Sequence, residues 1–543
     1  MQQFNKMARG FLSPPVLLTL VWSAVLVGII IGPIDYPSLP SLSTLALVTT
    51  GLLLFFWAHC GGVWSCAFSL RHWPSLPPAS FKVLNVAVGM ASVAGLIGIA
   101  LIALDRTVLS GVSNSSYAAL LRCAPGLVDY IEIKRTPLLY LGYLSFSFGF
   151  AALALFLLKG EEIEGWAAYL GQLSIISPVG YALLYSGRMP ILSVIVLIAS
   201  VVMVRLARRL PALPRGHHLL VKIVVLVVLF GIYSNAVWSN RQKFCIEKQD
   251  LVQNLLTKME EQRSKSRQAP LARETELKQK LATLQAEGTG AQAEETETVA
   301  HAPSAVVNEL VESRRPRGGI DAAELSTMIE GVTPKATGAG TSEIDPFLVV
   351  LRESWHVAPR QYVLSALDSG YLSPTTVRAL LSNYFYLTHG VRILDLIWHS
   401  RAQLSPLWGV YEIGVLSPIL RVFFPDNQLL TTMNNELRNA DIYGFFPTVW
   451  GAAIIDFGAL GAVIYVLLWG WVSGWSYYGT KHSTLTTPPL LLTFTLASII
   501  LSPIQGPLGA ANSALVLVSM LLLGFSVDLW TLRSRNRVDV SGR

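Results

Sequence analysis

The sequence predicts an all-α polytopic membrane protein, and three observations carry that prediction. Apolar residues make up 52% of the chain and charged residues 14%, against about a quarter charged in soluble domains. Apolar runs near the roughly 20 residues that a spanning helix needs recur about ten times. The connections between them alternate between basic and nearly uncharged, as the positive-inside rule requires.

The runs lie near 14–33, 42–63, 83–104, 137–158, 165–186, 189–207, 219–238, 446–472, 487–504 and 512–531. Lys6 and Arg9 precede the first, as they would in a signal peptide. It has no small-x-small cleavage site and further runs follow, so it reads as a span. Arg71, His72 and Lys82 lie in the second connection, and Lys159 follows the fourth run. Arg205, Arg208, Arg209, Arg215 and Lys222 lie between the sixth and seventh, and Lys481 between the eighth and ninth. Arg533, Arg535, Arg537 and Arg543 follow the last. Every second connection is the basic one, which predicts both termini on the cytoplasmic side. The net charge of +7 therefore anchors helix ends and does not point to nucleic acid.

The long connection at about 239–445 is then external. The expected organisation is 1–238 for the first seven spans, 239–345 for a charged, partly disordered helical insertion and 346–445 for a membrane-associated external loop. Residues 446–532 form the last three spans and 533–543 a cytoplasmic tail. Residues 246–346 contain no Phe, Tyr or Trp. Leu251, Leu255 and Met259, and then Leu277, Leu281 and Leu284, recur at helical spacing. Such a segment buries little apolar surface. Residues 346–443 return to aromatic residues, with Trp355, Tyr362, Tyr384, Tyr386, Trp398, Trp408 and Tyr411 among them. They read as helices on or dipping into the outer interface. Cys123 and Cys245 fall in external connections, a compartment that permits a disulfide. Free thiols are the expected state.

The chain has no phosphate-binding Gly-rich lysine loop, no zinc motif, no nucleophile elbow and no intramembrane acid chain. What remains is a set of polar residues at the outer boundary. Arg188 is the single charge of the turn Tyr185-Ser186-Gly187-Arg188-Met189-Pro190. A guanidinium there can grip phosphate oxygens through two parallel hydrogen bonds, or snorkel as an anchor. His389 and Arg392 are three residues apart, so on a helix they share a face, although Gly390 between them counts against a helix. His389 is a candidate base, and Glu412, flanked by Gly409 and Gly414, is a second. Tyr384, Tyr386 and Tyr411 offer stacking faces for sugars. Arg421 and Arg438 add cations. Asp456, early in the eighth span, needs a partner, and an outer arginine is the expected one. Arginines under an aromatic lid suit a sugar joined to a lipid through pyrophosphate.

These residues resemble the O-antigen polymerase (Wzy) family of oligosaccharide repeat unit polymerases. The resemblance rests on many spans with one large late external loop, and on Ser186-Gly187-Arg188 opening a span. It rests also on Tyr386-Leu387-Thr388-His389-Gly390 followed by Gly409-Val410-Tyr411-Glu412-Ile413-Gly414, and on Asp441-Ile442-Tyr443 leading to Asp456-Phe457-Gly458 and Gly461. The charged insertion departs from the family pattern, and His389 stands where the family more usually has glutamine.

The resemblance implies a bundle similar to the GT-C helical membrane glycosyltransferases, in a bacterial inner membrane. The implied reaction polymerises undecaprenyl-pyrophosphate-linked repeat units on the periplasmic face, with no cofactor and no metal. Arg188, Arg392 and Arg421 would bind pyrophosphate, His389 or Glu412 would act as base, and Arg438 and Asp456 would support them. The implied partners are lipid-linked oligosaccharide, membrane lipids and a chain-length regulator or flippase of the same pathway. An O-antigen ligase, a lipid or glycan transporter and a structural partner of an envelope-synthesis complex remain open alternatives.

Overall fold

A computed structural model describes residues 13–72, 78–109, 136–185, 187–214, 221–233, 356–414, 446–509 and 512–541. It also describes isolated positions at 131–132, 236, 320–321, 347–348, 351–352 and within 416–442. The helices, in chain order, are α1 (Pro14–Ile31), α2 (Leu42–His72), α3 (Phe81–Leu104), α4 (Pro137–Lys159), α5 (Gly165–Leu173), α6 (Ile176–Leu184) and α7 (Met189–Ala207). They continue with α8 (Val221–Tyr233), α9 (Gln361–Asp368), α10 (Pro374–Ser400), α11 (Thr448–His482), α12 (Thr487–Leu501) and α13 (Ser513–Ser541). Four two-residue strands are present: β1 (Ile34–Asp35), β2 (Ile131–Glu132), β3 (Ile320–Asp321) and β4 (Ala358–Pro359). The protein is all-α and membrane-embedded.

Among the described residues, 8 helical stretches are long and apolar enough to cross a bilayer, counting α5 and α6 together. Apolar residues face outward on them, as lipid contact requires. On α2, Leu53 is 65%, Trp57 71% and Trp64 73% exposed. Helix α8 is described over Val221–Tyr233, and residues 219–220, 234–235 and 237–238 of that expected span lie outside the described residues. The expected span at 487–504 is shorter than read, because α12 ends at Leu501. Pro503 lacks an amide hydrogen, and the chain there folds into the turns of 502–509. The expected span at 165–186 is two helices that meet at Ser174–Ile175.

The chain divides into two compact units. One comprises residues 1–106, 136–240 and 338–543, and the other 107–135 and 241–337. In the second, β2 and β3 pair in parallel, Ile131 with Ile320 and Glu132 with Asp321. The insertion thus pairs with the connection after α3, and a pair of this kind requires both connections on one side of a bilayer. The helical patterns at 251–259 and 277–284 lie outside the described residues, as do Cys123 and Cys245. Cys60 and Cys66 are free thiols.

Among the described residues, the first unit holds two large cores besides smaller clusters. One gathers α3, α4, α5, α7, α12 and α13 around Phe146, Phe156, Val201 and Leu490. The other gathers α1, α2, α10 and α11 around Trp22, Phe55, Leu394 and Trp450. Helices α2 and α11 touch backbone to backbone. A Cβ at Gly474 would lie 1.9 Å from the His59 carbonyl oxygen, so only glycine permits the crossing.

Arg188 and Arg205 mark opposite ends of α7, about 25 Å apart at 1.5 Å per residue. At the Arg205 end, that side chain is fully buried. It donates to the carbonyls of Leu157 (3.1 Å), Leu158 (2.9 Å) and Pro211 (2.8 Å) and pairs with Glu161. It therefore caps the carbonyl end of α4. At the Arg188 end, β1 pairs with β4 and the start of α11 bonds the end of α12 through Thr448 N to Ile504 O, 3.2 Å.

Candidate functional site

The candidate site forms where the two cores meet at the Arg188 end. Val196 and Ile504 are buried there, with Met189, Tyr386 and Phe446 packed against them. Arg188 precedes α7, whose Met189-Pro190 start fixes the first turn. Its guanidinium carbon lies 5.2 Å from the centre of the Tyr386 ring, a cation–π distance. Burial pulls this guanidinium below its usual proton affinity, and the neighbouring Tyr386 opposes that.

Helix α10 runs unbroken through Gly390, with Ser373 capping its start by accepting from the Thr376 amide at 3.1 Å. The sequence reading counted Gly390 against a helix. The structure gives that glycine another role, because a Cβ there would lie 2.3 Å from the Pro503 carbonyl oxygen. Its small size lets α10 dock against the 502–509 turns. His389, 4% exposed, donates from Nδ1 to the Phe385 carbonyl at 2.8 Å and stacks on Phe385 at 4.7 Å. That bond leaves the lone pair on Nε2 in the neutral ring. Burial pushes its pKa down to about 4, despite its bonds to the backbone at Phe385 and Tyr386.

The other predicted residues of α10 do not share this place. Arg392 donates to the His356 carbonyl at 3.4 Å and lines a separate recess with Tyr36, Thr388 and Asp395. Tyr384 packs on α1, where its hydroxyl would lie 1.9 Å from a Cβ at Gly32. The helical rotation over these residues thus sends Tyr386 and His389 toward α7 and α11, and Tyr384 and Arg392 toward α1 and α2. Asp395 accepts from the Ser41 amide (3.1 Å) and hydroxyl (2.6 Å) and from the Thr44 hydroxyl (2.6 Å), at the start of α2.

Glu412 and Asp456 form a second polar node on the same turns. Asp456 is fully buried, and its carboxylate accepts from the amides of Tyr411 (2.9 Å) and Glu412 (2.7 Å). Backbone amides thus take the place of the arginine expected from the sequence. A carboxylate satisfied by amide donors needs no counter-ion in contact. The loop reaches it because Trp408 and Gly409 adopt positive φ, 54° and 91°. Gly458, at φ 67° inside α11, kinks the helix just past Asp456. Glu412 is 2% exposed and accepts from the Tyr465 hydroxyl and the Leu508 amide, both at 2.9 Å. Burial pushes its pKa up to about 7, the bonds from Leu508 and Tyr465 opposing and Asp456 adding to the rise.

The 502–509 turns therefore join the two halves. Pro503 meets Gly390 beside His389, and Leu508 meets Glu412. Gln505 between them is 6% exposed, with an amide nitrogen that has no hydrogen-bond partner among the described residues. The sequence reading missed Gln505. It also missed Arg106, whose signal was an arginine at the end of an apolar run, as Arg188 is. Arg421, Arg438, Ser186, Asp441 and Tyr443 lie outside the described residues. No group of three His, Cys, Asp or Glu able to hold a metal occurs among the described residues.

Fold and site together define an all-α membrane protein with a half-buried guanidinium, two buried carboxyl groups and a buried imidazole at one end of its bundle. Comparison of the chain with protein-family models, with curated proteins and with solved structures gives no match.

Proposed function

We propose that the protein polymerises lipid-linked oligosaccharide repeat units on the periplasmic face of a bacterial inner membrane. The observation that carries this reading is Arg188, held against Tyr386 at the same end of the bundle as two buried carboxyl groups and a buried imidazole. A guanidinium seated on an aromatic ring at a membrane rim suits a diphosphate whose lipid stays in the bilayer. The unpartnered Gln505 amide offers a further donor for that group or for a sugar.

In the proposed reaction, a non-reducing-end hydroxyl of a new repeat unit attacks the anomeric carbon of the growing glycan. The anomeric carbon–pyrophosphate oxygen bond breaks as the glycosidic bond forms, and undecaprenyl pyrophosphate leaves. Arg188 offsets the charge that builds on the leaving oxygens. Of the two candidate bases, Glu412 is the better matched, because a pKa near 7 suits proton transfer at neutral pH. His389, pushed down to about 4, is a weaker base and fits a positioning role. The GT-C-like architecture, the cytoplasmic termini and the partners named above belong to the same proposal.

Deletion of the gene, followed by gel analysis of surface glycan, tests it. Loss of long chains with single repeats retained supports the polymerase. Lipid-linked polymer that accumulates without attachment to core identifies a ligase instead. Arg188→Ala, still inserted in the membrane, should restore no long chains, with a loss of at least about 100-fold, the scale of a lost transition-state donor. Full complementation by Arg188→Ala or Arg188→Glu would remove the pyrophosphate role.

A further inference from the structure

We propose that Arg106 is the second cation of this site and binds a phosphate group together with Arg188. This deepens the reading above and rests on Arg188 as a phosphate ligand. Arg106 lies in a five-residue π-helical stretch, Asp105–Leu109, that continues α3. Such stretches concentrate at functional sites. Its side chain is 8% exposed. Nε donates to the Tyr185 hydroxyl at 3.1 Å, and the guanidinium carbon lies 5.1 Å from the centre of that ring. The Tyr185 hydroxyl in turn bonds the Tyr143 hydroxyl. Tyr181 packs on Tyr185 at 4.7 Å and accepts from Asn512 at 3.3 Å.

The cage is aromatic and neutral. Arg106 has no carboxylate partner among the described residues. The adjacent Asp105 accepts from the Thr136 hydroxyl. A buried cation held only by phenols is costly unless a charge compensates it. The contrast with Arg205 is direct, since that buried side chain has Glu161. An anion bound in function would supply what the Arg106 cage lacks.

The place of Arg106 says which anion. Tyr185, which it contacts, is three residues from Arg188, so their Cα atoms are at most about 10 Å apart. Each arginine lies over a tyrosine, Arg106 over Tyr185 and Arg188 over Tyr386. A diphosphate spreads its charge over two phosphorus centres, so it can engage two separated guanidinium groups where a monovalent anion can engage one. The ligand chemistry is a phosphate or diphosphate group, borne on a lipid or free in solution.

The test uses the full chain in nanodiscs of zwitterionic lipid, with undecaprenyl pyrophosphate in one arm and inorganic pyrophosphate in the other, read by thermal shift. Wild type should be stabilised, and Arg106→Gln should bind at least about tenfold more weakly, with partial recovery in Arg106→Lys. Stabilisation by the lipid alone identifies a lipid-borne group, and equal stabilisation by both identifies a site for the anion itself. The melting temperature of ligand-free Arg106→Gln should equal or exceed wild type, because an uncompensated buried charge has gone. Wild-type binding by Arg106→Gln, no binding of either probe by wild type, or a ligand-free Arg106→Gln that loses stability without losing affinity would each overturn the inference. Phosphate binding that depends on Arg106, in a protein that makes no polymer, keeps this inference and removes the polymerase reading. Polymer made equally well by Arg106→Gln does the reverse.

Discussion

Glu412 accepts from the Tyr465 hydroxyl and from the Leu508 and Gly509 amides, and it has a carboxylate neighbour, Asp456. The donors favour its ionised form, while burial and the neighbour disfavour it. Burial wins, and the pKa rises from an ordinary 4.5 to about 7. Between those values the folded protein binds more protons than the unfolded chain. Its stability therefore falls as pH rises through this window and levels off above it. The ceiling on that loss is about 3 kcal/mol. Glu412→Gln should remove this contribution, so that its melting temperature declines less than that of wild type between about pH 5 and pH 8. Parallel slopes for the two proteins would mean that Glu412 does not titrate in this range. Activity should run the other way, rising with pH toward a plateau above about 7 as the base ionises, and Glu412→Gln should lack it. The sequence picked out Glu412 by its flanking glycines. It did not show Asp456 bound to the amide of that same residue, because a contact across 44 residues leaves no local pattern.

Helix α10 shows how an element can be misread from its own residues. Its glycine lowers helix propensity by about 1 kcal/mol, and read alone it argues for a break. The helix persists because Gly390 faces the Pro503 carbonyl at a distance no side chain could occupy. Gly390→Ala should therefore destabilise the protein by about 1–3 kcal/mol, as overpacking does, in spite of alanine's better propensity. Gly61→Ala on α2 is the control, since a Cβ there meets nothing within 4 Å. Thermal unfolding in detergent should separate the two, and equal effects would contradict the docking of α10 on the 502–509 turns. The same helix divides the predicted site. Tyr386 and His389 reach the seam of the two cores, while Tyr384 and Arg392 serve the contact with α1. Residues close in sequence were grouped as one site, but a helix turns each residue about 100° from the last.

Across the whole molecule, the two ends differ in character. At one, the buried Arg205 caps α4 with Glu161 beside it. At the other, Arg106 and Arg188 lie among tyrosines. The proposed orientation puts the second end outside, which single cysteines can test. After serine replaces the four native cysteines, Ala402→Cys should react in intact spheroplasts with a maleimide that cannot cross the membrane. His482→Cys should react only after permeabilisation. Shelter of position 402 in the cytoplasm would put the site in the wrong compartment for a lipid-linked glycan. Membrane embedding, helical class and the main helices were legible in the sequence, because span length and charge alternation are set by the bilayer and act on each segment alone. Only the tertiary structure decided which polar residues meet. It set Arg106 beside the Arg188 turn, gave Asp456 to backbone amides and left the Gln505 side-chain nitrogen without a hydrogen-bond partner among the described residues. Those outcomes depend on helix rotation and close backbone approach between distant segments, which hydropathy and spacing do not encode.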